Sequence, residues 1–254
     1  MPCSPACLLV DLLAALVLAQ DPQPTPTPAS KPAAEAREAE ARQQQEPQPG
    51  KAQDPASVPP QDRARPADAK TLLAVFARMP GLEATYTEEK KLALLALPLK
   101  SKGRIFFLPP GYLFRAVEAP EPATLRITPD ELRTEDRDGK QSIDLRRSDT
   151  VRVFITALVQ VFAGDAPALQ KAFAVSYAAV PETKNGWTLE LLPKEPSLQR
   201  MMKSLQLRGV GEAVTAIVVV DPNGDRTTTT IVTADSKRTF DPAEKKRWFG
   251  IEAK

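Results

Sequence analysis

The chain has 254 residues, and its 34 basic and 32 acidic side chains leave a net charge of +2. A balance that even excludes the basic stripe of a nucleic-acid binder and the polybasic segment of a membrane-surface anchor. There is no histidine, and the only cysteines are Cys3 and Cys7. A folded part without either residue excludes imidazole general bases, Ser-His and Cys-His nucleophiles, thiolate metal sites and disulfide scaffolds, so no catalytic residue, cofactor or metal is expected.

Residues 6–19 read ACLLVDLLAALVLA. The run is too short to span a bilayer, which needs about 20 apolar residues, and it suits the apolar core of a signal peptide with cleavage after Val17-Leu18-Ala19. Asp11 inside the run, and the lack of a preceding Lys or Arg, are irregular for such a segment. Cys7 follows Ser4-Pro5-Ala6 without an upstream apolar run, so it is not a lipidation site. Residues 1–19 are therefore expected to be a signal peptide, and the mature protein to be periplasmic. Residues 20–68 are rich in Pro, Ala, Gln and Glu and nearly devoid of large apolar side chains. Such a segment buries too little surface to offset the entropy of ordering, and predicts a disordered linker. It reads as a spacer; the alternative is a tether across the periplasm. Residues 69–254 form the predicted folded domain.

Within that domain, residues 71–79 carry apolar side chains at helical spacing and stop at Pro80-Gly81. From Leu82 the period becomes two: Leu82, Ala84 and Tyr86 point one way, and Glu83, Thr85 and Thr87 the other. A second apolar stretch, 91–99, leads through Ser101-Lys102-Gly103 into a strand at 104–108. Pro109-Pro110-Gly111 breaks it before the next strand, 112–117. Strands at 124–128, 131–134 and 141–145 follow, with turns at Pro129-Asp130 and Asp138-Gly139. The spacing leaves no room for parallel crossovers, so the meander is antiparallel.

Residues 150–162 differ. They are apolar except at Arg152, Thr156 and Gln160, which recur every four positions and fall on one narrow stripe of a helix. A helix so apolar must be covered by protein or ligand. Gly164 ends it, and a short helix at 165–171 has Pro167 in its first turn. Strands resume at 173–180 and 187–192 around Asn185-Gly186. A helical turn is predicted within 197–203, then strands at 204–208, 214–220 and 227–233. Asp221 to Asp225 resembles a calcium loop only faintly: its glycine sits at the wrong offset and no glutamate closes it, so it reads as a turn. Asp241-Pro242-Ala243-Glu244 starts a terminal helix. Trp248 and Phe249 in that helix are expected to dock inward, the alternative being contact of Lys245, Lys246 and Arg247 with anionic headgroups. The layout predicts mainly antiparallel β structure with a few helices, as a curved sheet that wraps around the central helix.

Several residues now line up with a known family. Tyr86 followed by Glu88, then Gly103, Phe106, Pro110 and Tyr112 within LPLKSKGRIFFLPPGYLFRAVE (97–118), then Leu191-Leu192-Pro193-Lys194 and the Asp221–Asp225 hairpin, resemble in order the features of LolA-like outer-membrane lipoprotein carriers. The resemblance spans 72–249. It implies an incomplete, half-open β-barrel wrapped around a helical lid or plug, whose hydrophobic cavity takes the acyl chains of lipoproteins from an inner-membrane transporter and passes them to an outer-membrane acceptor. Some members latch the lid with an arginine just before the proline turn; Leu108 or Pro109 stands there instead, and Arg104 and Arg115 occupy other positions. The sequence thus resembles a divergent branch.

The predicted lipid-binding cavity is lined by Leu82, Tyr86, Ile105, Phe107, Tyr112 and Phe114 from the sheet and by Phe154, Leu158 and Phe162 from the helix. A slip of one residue in register would exchange Phe107 for Phe106. The expected function is that of a monomeric periplasmic carrier of lipoprotein acyl chains, not an enzyme. The alternatives are a binding protein for another envelope lipid or glycolipid, an envelope hydrolase on a similar sheet, and an interaction protein acting through the Pro-rich arm.

Overall fold

The computed structural model of the protein describes residues 60–252. The predicted signal peptide and residues 20–59 of the predicted linker lie outside the described residues. The last part of that linker does not: Pro60–Asp62 form a short 3-10 turn, the Pro60 carbonyl accepts the Glu212 amide (2.8 Å), and the Pro66 carbonyl accepts the Tyr177 hydroxyl (2.6 Å). The described residues thus include contacts before residue 69, made by backbone carbonyls, which composition does not report.

The first helix, α1 (Ala69–Phe76), starts where Asp68 accepts the Thr71 amide at 2.7 Å, and it buries Leu72, Leu73 and Phe76. Three strands follow: β1 (Leu82–Lys91), β2 (Leu99–Leu108) and β3 (Tyr112–Ala119). Three shorter ones complete the first meander: β4 (Ala123–Ile127), β5 (Glu131–Asp136) and β6 (Gly139–Asp144). Then come α2 (Asp149–Ala163) and α3 (Ala166–Ala172). The second meander is β7 (Phe173–Val180), β8 (Gly186–Pro193), the helical turn α4 (Pro196–Gln199), β9 (Ser204–Val210), β10 (Ala213–Val220) and β11 (Arg226–Asp235). The chain closes with α5 (Pro242–Glu244) and a π-helical turn, Lys245–Phe249.

The strands form one sheet in the order β6-β5-β4-β3-β2-β1-β11-β10-β9-β8-β7. Every neighbouring pair is antiparallel, and β1 pairs with β11, so the two meanders join through the first and last strands. The sheet does not close into a barrel: β6 and β7 are its two edges, and α2 and α3 are the connection between them. One face, called inner below, packs against these helices.

Helix α2 explains that arrangement. Arg152 and Thr156 are exposed and Gln160 half-buried, while Val151, Phe154, Ile155, Leu158 and Val161 are buried. The predicted polar stripe is therefore a wet face of the helix. Each buried Leu, Ile or Phe side chain contributes about 1.5–3 kcal/mol, and they share one core with Phe107, Leu113, Leu125, Trp187, Leu189, Leu205 and Leu207 of the sheet. Gly164 ends the helix in the left-handed region (φ 66°). A Cβ there would stand 2.2 Å from the Leu73 carbonyl oxygen, so glycine also permits the close approach of α1.

The outer face carries a smaller core. Phe106, Phe114, Phe240 and Phe249 are buried together, with Trp248 against them. Trp248 stacks on Phe106 at 4.7 Å between ring centroids, 10° from parallel. Arg126 of β4 holds the segment through the carbonyls of Trp248 (3.0 Å) and Arg247 (2.9 Å). The aromatics of the terminal helix are thus docked. Its start is a capping box, in which Asp241 Oδ1 accepts the Glu244 amide (2.8 Å) and Glu244 Oε2 accepts the Asp241 amide (3.1 Å). Removing that cap in Asp241→Ala is expected to cost about 1 kcal/mol and to lower the melting temperature by about 2–4 °C in calorimetry.

Candidate functional site

The inner face of the sheet changes character along β1. Its inward side chains are Leu82, Ala84, Tyr86, Glu88 and Lys90, of which all but half-buried Leu82 are buried. The strand therefore carries an apolar half under the helices and a polar half toward the β1–β2 connection. Cross-strand register places Phe107 beside Leu82, Ile105 beside Ala84, Gly103 beside Tyr86 and Ser101 beside Glu88. On β3, Leu113 lies opposite Phe107 and Arg115 opposite Ile105.

The apolar half holds most of the predicted lining. Phe107, Phe154 and Leu158 are buried in the main core, and Leu82 and Phe162 pack against it half-buried. The Phe107 and Phe162 rings lie 5.6 Å apart. Ile105 and Tyr86 are buried on the same inner face, nearer the polar half. The structure does not bring Tyr112 and Phe114 to this site. They pair with Leu108 and Phe106 on the outer face, where Phe114 meets Trp248 at 5.1 Å and Tyr112 meets Phe249 at 6.3 Å. The reason is the register of the hairpin through Pro109-Pro110-Gly111. Residues opposite one another share a face, so an inward Phe107 requires an inward Leu113. Leu113, Trp187, Leu189, Leu205 and Leu207, absent from the predicted lining, stand on the inner side instead. The alternation of Leu189 with Leu191 and of Leu205 with Leu207 carried that signal.

The polar half is a connected network that the sequence reading did not identify. Arg115 Nη2 donates to Glu88 Oε1 at 2.7 Å, and Arg115 Nε donates to the Tyr86 hydroxyl at 2.8 Å. Thr229 Oγ1, across the β1–β11 ladder, donates to Glu88 Oε2 at 2.7 Å, and Ser101 Oγ reaches Glu88 Oε1 at 3.5 Å. The Arg115 guanidinium also lies 4.7 Å from the Tyr86 ring centroid. The side chains of Arg115 and Glu88 are only 7% and 5% exposed, so the pair operates with little solvent screening. Burial acts to lower the Arg115 pKa, but the Glu88 carboxylate, helped by Tyr86, overrides it, and the guanidinium is held charged above its ordinary value. Burial pushes the Tyr86 phenol up, against the opposing pull of Arg115. Parity offered a sequence signal for Glu88 alone, two residues on from inward Tyr86; the phase of β3, and with it Arg115, was set by the hairpin register.

The site is therefore an apolar interior closed by the chain's own helix, ending in a buried ion pair at one end. An open antiparallel sheet of eleven strands, covered on its inner side by an apolar helix that links its two edges, has the architecture of the LolA-type half-barrels. The chain belongs to the family described as outer membrane lipoprotein carrier protein LolA-like, whose model matches residues 62–245. Among solved structures it is similar to a LolA superfamily protein from Nitrosomonas europaea, at 11% identity over 70% of this chain and 97% of that one, with a TM-score of 0.40. A DUF1329 family protein from Desulfovibrio piger is similar at 9% identity, covering 71% and 97%, with a TM-score of 0.38. The MucA/MucB complex of Pseudomonas aeruginosa contains a chain similar at 11% identity, covering 66% and 57%, with a TM-score of 0.39. No curated protein sequence matches the chain.

Proposed function

We propose that the protein is a non-enzymatic periplasmic carrier that shelters the acyl chains of lipoproteins between α2 and the inner face of the sheet. It acts as a monomer, receives cargo from an inner-membrane transporter and releases it to an outer-membrane acceptor. The observation that carries this reading is α2 itself, a helix apolar around most of its circumference whose partners are side chains a lipid tail can equally well contact. Burying one methylene contributes about 0.8 kcal/mol, and withdrawing one Leu or Phe of α2 from the sheet costs about 1.5–3 kcal/mol. Two to four methylenes thus offset, roughly, each displaced side chain. Cargo competes with self-contacts, so net affinity stays low enough for release. The Tyr86–Arg115–Glu88 network marks the end of the apolar interior, where the polar part of a cargo lipid is accommodated.

The family described as lipoprotein carriers favours this cargo over a free envelope lipid or glycolipid, the second reading. A fluorescent acyl probe titrated into delipidated full-length protein tests the binding itself. Saturable binding at one site is expected, with Phe162→Asp weakening it by about tenfold or more and Thr156→Asp, on the wet stripe, leaving it unchanged. Unsaturable binding, or equal binding by Phe162→Asp with an intact melting transition, would overturn the assignment. Mass spectrometry of co-purified material distinguishes lipopeptide from free lipid.

A further inference from the structure

The β1–β2 connection, residues 92–98, reads LALLALP, and its leucines do not enter either core. Leu94 is 97% exposed, Leu97 78% and Leu95 43%, three of the five large apolar side chains that stand in solvent among the described residues. The loop is held in that position: the Ala93 amide donates to Asp225 Oδ1 at 2.7 Å, and the Leu95 amide to the Leu92 carbonyl at 3.1 Å. Side chains this apolar are exposed at a cost unless they have a use.

The surroundings say what meets them. Lys91 and Arg226 are register partners at the base of the loop, Lys100 and Lys102 follow it on β2, and Lys203 lies beside Val220 at the adjoining end of β10. The neighbouring carboxylates are Glu89, Asp221 and Asp225. Asp225 is turned onto the Ala93 amide, Asp221 caps its own turn through the amides of Asn223 and Asp225, and Glu89 lies 3.4 Å from Lys91. Cations thus outnumber carboxylates around a narrow apolar tip. Leucines that enter acyl chains below a collar of lysines at headgroup depth are the pattern of an interfacial membrane contact.

We propose that residues 92–98 are a docking tip for an anionic phospholipid bilayer. A hairpin loop a few residues wide offers too little area for a stable protein interface, and the cationic collar matches an anionic surface. Docking there sets the polar end of the inner face, Glu88 and Lys90 at the end of β1 before the loop, against the membrane. This inference stands apart from acyl binding beneath α2, and the two fail separately.

The test is co-sedimentation of the full chain with vesicles of phosphatidylglycerol and phosphatidylcholine, and with vesicles of phosphatidylcholine alone. The full chain is expected to bind the anionic vesicles, less so at high salt. Leu94→Asp/Leu97→Asp is expected to reduce binding about tenfold or more, Lys91→Glu/Lys100→Glu to reduce it as well, and both variants to keep acyl-probe binding and the melting transition. Equal sedimentation of wild type and the leucine variant, or binding indifferent to lipid charge, would overturn the proposal. So would a concentration-dependent dimer in analytical ultracentrifugation that the leucine variant abolishes without any vesicle binding.

Discussion

Replacing Glu88 by alanine is expected to destabilise the domain by about 3–5 kcal/mol, because it removes the carboxylate that pairs with the buried Arg115 charge. For a domain of this size that corresponds to a fall in melting temperature of about 10 °C. Three donors lose their acceptor together: Arg115 Nη2, Thr229 Oγ1 and Ser101 Oγ all point at the Glu88 carboxylate. The loss is one of pairing and not of volume, so Glu88→Leu combined with Arg115→Met is expected to recover most of the stability, since exchanging both members of a buried pair for apolar groups of similar size is often near neutral. Denaturant unfolding of Glu88→Ala and of the double variant measures it. If the single Glu88→Ala change cost less than about 1 kcal/mol, the pair would behave as an exposed ion pair and the buried network would be refuted.

Gly103→Ala is expected to cost about 3 kcal/mol, in the upper range for overpacking. A Cβ at this position would lie 1.9 Å from the Ala116 carbonyl oxygen and 3.0 Å from the Tyr86 hydroxyl. The obstacle is mainly backbone, which does not step aside as the end of a side chain would. Register between β2 and β3 shifts at Lys102/Gly103, a bulge of the kind that bends a strand and tightens its twist. Gly111→Ala is the matched control, since its Cβ would meet nothing closer than Val159 Cγ1 at 3.8 Å; a change within about 0.5 kcal/mol is expected there. Equal midpoints of denaturation for the two variants would show that the sheet does not need the close approach.

Much of this architecture was legible in the chain. Turn residues at Pro129-Asp130, Asp138-Gly139, Asn185-Gly186 and Asp221 to Asp225 divided the strands, because backbone geometry at those places restricts the residue type. The four-residue recurrence of Arg152, Thr156 and Gln160 located the wet stripe of α2 and hence its buried faces. Register through Pro109-Pro110-Gly111 was not legible: alternation along β2 and along β3 is clear in each strand, but their relative phase depends on loop geometry, and Tyr112 and Phe114 consequently belong to the outer core. Composition does not report that the leucine-rich sequence at 92–98 stands outside the core. The ion pair escaped because each partner alone reads as a surface residue; only the pairing of β2 with both β1 and β3 shows that Glu88 and Arg115 meet.

The joining of β1 to β11 sets when this domain can form. Thr85 and Thr233 touch across 148 residues of chain, so neither meander has its full complement of neighbours until the last strand is available. Contacts of such sequence separation carry a large loop-closure cost before they return any stability. A chain emerging from its N-terminus thus holds β1 with one side unsatisfied until β11 is available, and that strand is the one most open to mispairing in the meantime.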